Sequence, residues 1–109
     1  MLFFLKDQRG YNLEGVKMPL TAQVRFKTRL QTRNRIQVSK YIRRHFKLET
    51  DQYLKAYVRV LGIWGNPQTF LTKIDKDDRI VIPKLTASLL PDRKIDLTGY
   101  VLEVTLDPL

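Results

Sequence analysis

Seven cations crowd one stretch of this 109-residue chain: Arg29, Arg33, Arg35, Lys40, Arg43, Arg44 and Lys47. Five are arginines, whose planar guanidinium forks onto phosphate oxygens and guanine edges as an ammonium cannot. The chemistry on offer is therefore capture of a polyanion. Catalysis has little to work with. The chain has no cysteine, which removes disulfides, thiolate metal sites and a thiol nucleophile. Its one histidine, His45, has no nucleophile beside it and no second histidine or cysteine with which to share a metal. Asp75, Asp77 and Asp78 cluster on a predicted turn without a histidine or a glycine-rich phosphate loop, and read as a solvated turn rather than a Mg²⁺ site. The expectation is a protein that is not an enzyme, with no cofactor, no metal and no small-molecule substrate.

Charge along the chain is lopsided. Lys and Arg number 20 against 11 acidic residues, a formal net charge of +9. Residues 1–24 hold three basic and two acidic residues, 25–61 hold 11 and two, and 62–109 hold six and seven. Nearly all of the excess lies in the middle third. Neutralised phosphates release counterions and supply most of the affinity of basic proteins for nucleic acid, so nucleic acid is the leading partner. The early apolar run Leu2-Phe3-Phe4-Leu5 is followed at once by Lys6-Asp7 and is too short for a signal-peptide core or a membrane span. A cytoplasmic protein is expected.

The elements that must position these cations come in two copies. Shifting the chain by 44 residues lays Thr28-Arg29-Leu30 on Thr72-Lys73-Ile74, Arg35-Ile36-Gln37-Val38 on Arg79-Ile80-Val81-Ile82, and Lys40 on Lys84. Beyond that the second copy needs about three extra residues before Gln52-Tyr53-Leu54 meets Gly99-Tyr100-Val101. Arg35-Ile36-Gln37-Val38 alternates polar and apolar residues, as in a half-buried strand, and Ile80 and Ile82 occupy the matching inward positions. Thr32-Arg33-Asn34 and Lys76-Asp77-Asp78 precede them as polar turns, giving a hairpin in each copy. A short helix follows, opened by Ser39 in one copy and near Pro83 in the other. Its apolar stripe is expected to be Tyr41, Ile42, His45 and Phe46, matched by Leu85, Thr86, Leu89 and Leu90, with Arg43, Arg44 and Lys47 facing outward. His45 then packs into the core. A last strand closes each copy, Tyr53 to Val60 and Tyr100 to Leu106. Gly62-Ile63-Trp64-Gly65-Asn66-Pro67 is punctuated as a connector, with Trp64 expected to pack on the body of the fold.

The order strand, polar turn, Arg-Ile-x-Val/Ile, Pro-Lys or Ser-Lys, helix, strand resembles the AbrB/SpoVT swapped-hairpin family of DNA-binding domains. Arg79-Ile80-Val81-Ile82-Pro83-Lys84 after Lys73-Ile74-Asp75 is the nearest match, and the first copy has Ser39 in place of the proline. The resemblance spans residues 26–60 and 70–107. It implies a mainly β fold with short helices, a swapped-hairpin barrel formed within one chain as a pseudo-dimer. A lone unit of this size buries too little apolar surface to offset its chain entropy. In domain terms, 1–24 is an extension of unassigned role, 25–61 a basic binding copy, 62–69 a linker and 70–109 a structural copy; 25–109 together make one barrel.

The resemblance also implies DNA contacts at Arg29, Arg35, Arg43 and Arg44, with Lys73, Arg79, Ala87 and Ser88 at the matching places of the second copy. Arg33, Lys40 and Lys47 assist. Arg35 and Arg79 recur, so a structural role tying the turn to a carbonyl stands beside the binding one. Duplex DNA is the favoured partner and transcriptional regulation the favoured function; structured or ribosomal RNA is the alternative, because one basic copy lacks the two-fold symmetry of a palindromic operator. A homodimer would restore that symmetry. A MazE-like antitoxin is disfavoured because the sequence stops at Leu109 without an acidic tail. A membrane-surface role is disfavoured because no large apolar face accompanies the charge.

Overall fold

A computed structural model describes residues 23–109, so the expectations for the N-terminal extension lie outside the described residues, except at Gln23 and Val24. The strands arise where polar and apolar residues alternate. From Tyr53 to Val60 the odd positions are exposed and Leu54, Ala56, Val58 and Val60 are buried, so one face of that strand must find a core.

The chain runs β1 (Val24–Arg29), β2 (Arg35–Gln37), α1 (Lys40–His45) and β3 (Tyr53–Val60), then β4 (Gln68–Lys73), β5 (Arg79–Val81), α2 (Lys84–Leu89) and β6 (Val101–Pro108). Among the described residues the fold is mainly β, with six strands in two antiparallel sheets and two short helices. β4, β5 and α2 follow β1, β2 and α1 at an offset of 44 residues, and β6 follows β3 at 48. The sequence alignment that sets Leu54 on Val101 is therefore one residue out: Leu54 corresponds to Leu102. A slip of one would turn a strand's apolar set to solvent, and Leu102, Val104 and Leu106 point into the core as Leu54, Ala56 and Val58 do. β4 also begins at Gln68, inside the expected linker.

One sheet has the order β1-β6-β3-β4; the other is the pair β2-β5. Every one of these ladders joins an element of the first half to one of the second. The expected hairpins within each half are reduced to one strand-to-strand bond apiece, Gln31 N donating to Arg35 O and Asp75 N to Arg79 O, both at 2.9 Å, with Asp78 N donating to Asp75 O at 3.1 Å inside the second turn. The bonds between halves come in matched pairs. Val38 N donates to Asp78 O and Ile82 N to Asn34 O, both at 2.8 Å. Ile36 faces Ile80 and Tyr57 faces Thr105, each residue opposite its own counterpart, so an approximate two-fold axis passes between them.

The turns that permit this are chemically specified. Asn34 and Asp78 take left-handed backbone angles, φ 57° and 61°, which side chains of this kind tolerate best. Asp75 Oδ1 accepts from the backbone N–H groups of Asp77 (2.8 Å) and Arg79 (2.9 Å) and fixes the second turn.

The two sheets share one core, built on Ile36, Val38, Ile80 and Ile82 from the β2-β5 segments and Leu54, Val58, Leu102, Val104 and Leu106 from the larger sheet. Burial of each such side chain contributes about 1.5–3 kcal/mol. The helices meet this core differently from the expected stripe. Ser39 Oγ does accept from Ile42 N (3.1 Å) and caps α1. Ile42 and Phe46, with Ala87 and Leu90, pack inward, whereas Tyr41, Leu85 and Leu89 face solvent. His45 is exposed rather than in the core; it stacks on Tyr41 at 5.4 Å and meets Phe46 edge-on at 4.8 Å. Trp64 does not pack on the body either, being 84% exposed. Among the described residues no helix is long and apolar enough to cross a membrane.

Ile36→Ala and Ile80→Ala are each expected to lower unfolding free energy by about 2–5 kcal/mol, read from urea midpoints, with the double variant non-additive because the two residues stand directly opposite each other in the β2-β5 pair and are buried in the same core. In the connector, a methyl group on Gly65 would lie 2.1 Å from Leu90 O, while one on Gly62 meets nothing within 4 Å. Gly65→Ala should therefore cost more stability than Gly62→Ala, whose positive φ alone costs about 1–2 kcal/mol. Equal midpoints would contradict the close approach.

Candidate nucleic-acid interface

α1 is two turns long and brings Lys40, Arg44 and Lys47 to the surface around a shallow cleft of about 470 Å³, which Arg43, Leu48, Glu49 and Asp78 also line. Lys40, Arg44 and Lys47 are exposed, and among the described residues none of the three is in an ion pair. Their electrostatic field is directed at solvent. At the matching places of α2 stand Lys84, Ser88 and Pro91, so one cation in three is kept there.

Arg43 differs from its neighbours and does not face outward as expected. It is 21% exposed and forms an ion pair with Asp78, itself 13% exposed, on the turn of the other half. Its Nε donates to Leu48 O at 3.0 Å and Nη2 donates to Thr50 Oγ1. The guanidinium is thus consumed in closing α1 onto the second turn, and Ala87 at its counterpart packs against the core instead. The acidic residues of that turn serve separately: Asp75 holds backbone N–H groups and Asp78 holds Arg43.

The pairing between halves also divides the other predicted residues. α1 adjoins the second turn, whereas the first turn, with exposed Arg33 at φ 61°, adjoins α2, where Asn34, Lys84, Ala87 and Ser88 line one shallow cleft. A copy's turn and helix do not form one surface. Arg35 Nε donates to Thr32 O at 3.1 Å, so the turn-tying role is observed there. Arg79 Nε donates to Gln37 Oε1 at 3.3 Å, and Gln37 Nε2 reaches Asp77 O (3.1 Å) and Asp78 O (3.2 Å). Arg29 donates from Nη1 to Gly99 O at 2.8 Å at one corner of the large sheet. Lys73 occupies the matching corner, 3.9 Å from Asp51 and 5.6 Å over the Tyr53 ring. Through Asp51, which bonds to Ile74 O while Thr50 meets Arg43, the Lys73 corner belongs to the α1 side.

A second basic surface escaped the sequence reading. Arg25 and Lys27 on β1 and Lys55 and Arg59 on β3 share the solvent face of the large sheet with Glu103 and Asp107 of β6. The alternation in each strand was legible, but only the order β1-β6-β3 brings these strands side by side. Arg59 Nε donates to Glu103 Oε1 at 2.7 Å. That bond, opposed by partial desolvation and aided by the charges of Arg59, Arg25 and Lys27, holds the Glu103 carboxyl below the usual carboxylate range. The same bond raises the Arg59 guanidinium further above its already high value.

No protein-family model matches the chain, and no curated protein matches it. Among solved structures it is similar to PHS018 from Pyrococcus horikoshii, whose structure was determined in solution. The TM-score is 0.64 at 21% identity, over 84% of this chain and 94% of that one. At that identity the likeness is one of fold alone.

Removing Arg43 or Asp78 should destabilise the protein by about 1.5–3 kcal/mol each, with strong coupling in a double-mutant cycle. Arg44→Ala on the open surface should stay within about 0.5 kcal/mol. For Glu103, carboxyl carbon shifts followed by NMR should titrate below the ordinary range in the wild type and return toward it in Arg59→Ala. Because its folded-state pKa is depressed, the contribution of this carboxylate to stability is present above its unfolded value and disappears as pH falls through the folded one.

Proposed function

We propose that the chain is a nucleic-acid-binding protein that docks through α1 of its first half, with Lys40, Arg44 and Lys47 anchoring phosphates and Lys73 contributing from the adjoining corner of the large sheet. The observation that carries this reading is the difference between two equivalent helices. α1 and α2 occupy matching places in the fold, yet α1 presents Lys40, Arg44 and Lys47 where α2 presents Lys84, Ser88 and Pro91. Solubility alone does not require one helix to hold the charge.

In this reading the fold is an AbrB-like swapped-hairpin pseudo-dimer, supported by the ladders that all run between halves and by the Ile36–Ile80 axis. Residues 25–61 form its binding half and 70–109 its structural half, in a cytoplasmic protein. Duplex DNA is the target that follows from the resemblance, and a homodimer in which two α1 helices face successive turns of the groove would act as a transcriptional regulator. Structured RNA is the second reading, favoured by one observation: the backbone is nearly two-fold, but the charge on its helices is not.

The test is a salt-titrated competition between labelled duplex DNA and folded RNA. Three phosphate contacts from α1 correspond to an affinity loss of about 40-fold between 50 and 200 mM salt, and six contacts to about a thousand-fold. The Lys40→Ala/Arg44→Ala/Lys47→Ala variant should flatten the salt slope by about one unit per side chain removed. Duplex preference supports the regulator, and RNA preference moves the function to RNA biology. A flat salt response in the wild type sinks phosphate anchoring altogether.

A further inference from the structure

The solvent face of the four-stranded sheet takes no part in that docking, and its residues are arranged for a different form of the polymer. The registers place Arg25, Thr105, Tyr57 and Thr69 in one row across the strands, with Lys27, Glu103 and Arg59 in the row on one side and Asp107 and Lys55 in the row on the other. Rows two residues apart along a strand lie about 7 Å from one another and neighbouring strands about 4.8 Å apart, so Tyr57 stands about 7 Å from Lys55 and Arg59 on its own strand, about 10 Å from Arg25 and about 12 Å from Lys27.

Its cross-strand neighbours are threonines on both sides. Thr105 is 7% exposed and forms a low floor, while the Tyr57 ring is 41% exposed above it. The result is a groove of about 530 Å³ with an aromatic ring near its centre and basic side chains along its walls. Arg25, Lys55 and Arg59 line it with the carboxylates Glu103 and Asp107, and Lys27 stands outside the groove on the same face; with Arg59 bonded to Glu103, the face retains a positive surplus.

We propose that this face binds single-stranded nucleic acid, with Tyr57 as the platform on which an unpaired base stacks and Arg25, Lys27, Lys55 and Arg59 as partners of the flanking phosphates. A duplex hides its base faces within its own stack, so an exposed ring can contribute only to an unpaired strand. Stacking of this kind tolerates any sequence, because every base presents a π face. An acidic protein segment would satisfy the charges, but it does not supply the stack of flat rings along an evenly charged backbone that a single strand offers to this face. The surface is independent of the α1 cleft.

Fluorescence anisotropy of the full chain with a labelled 12-nucleotide oligouridylate or oligothymidylate tests the assignment. Wild type should bind both. Tyr57→Ala should weaken binding about 5- to 100-fold, Tyr57→Phe should restore it, and Lys27→Ala/Lys55→Ala should reduce the salt slope by about 1.4 units, the single-strand value for two contacts. Circular dichroism of each variant verifies folding, and the exposed lysine pair provides the readout if Tyr57→Ala unfolds. The α1 triple variant should bind the oligonucleotide as wild type does, while Tyr57→Ala should leave any duplex binding intact; the two surfaces therefore fail or stand separately. The assignment is overturned if wild type does not bind, if a folded Tyr57→Ala binds undiminished, if the α1 variant loses the oligonucleotide, or if polyglutamate competes equally well against wild type and Tyr57→Ala.

Discussion

β2 and β5 are three residues long, and neither has an adequate partner in its own half. Strands of that length do not persist unless a neighbour supplies both hydrogen bonds and an apolar face. Each finds these in the other, with Ile36 against Ile80 at the centre and the Val38–Asp78 and Ile82–Asn34 bonds extending the pairing at either end. The rest of the structure depends on this contact. It draws each turn beside the opposite helix, fixes which strands can reach the large sheet, and gives the core a floor of four buried β-branched side chains.

The distribution of charge follows from that exchange. Had each half closed on itself, the basic turn and basic helix of the first half would have met, and several arginines would have crowded together. Instead α1 meets a turn bearing aspartates. Asp78 neutralises Arg43, and the remaining cations of α1 are spread around an open cleft. Conversely, the first turn is set against a helix with few charges. The fold thus lowers the self-repulsion of a strongly basic chain while leaving a set of cations at the surface.

Much of the architecture was legible where local chemistry decides the outcome. Ile36 and Val38 with Ile80 and Ile82 read correctly as inward positions, Asn34 and Asp78 as turn residues and Ser39 as a cap, because each depends on neighbours a few residues away. The helix faces were misread. A helix of six residues offers too few turns for periodicity to distinguish Tyr41 and His45 from a core stripe, and both side chains have a polar edge that suits an exposed position. Arg43 looked equivalent to Arg44 because its partner lies 35 residues away, on a turn that only the pairing between halves brings near. The strand-face offset of β6 was missed by one residue because the longer loop before it carries no marker of its own length. The basic sheet face was invisible for a related reason: its rows are built from strands distant in sequence.

The connector between β3 and β4 is clasped to the other end of the chain, with Gly65 bridged to Pro91 and Asn66 N bonded to Leu90 O at 2.7 Å. A methyl group at position 65 would meet Leu90 O, so the clasp closes only because that position carries no side chain. The path from the first half to the second is thus held as much by an absence of atoms as by its hydrogen bonds.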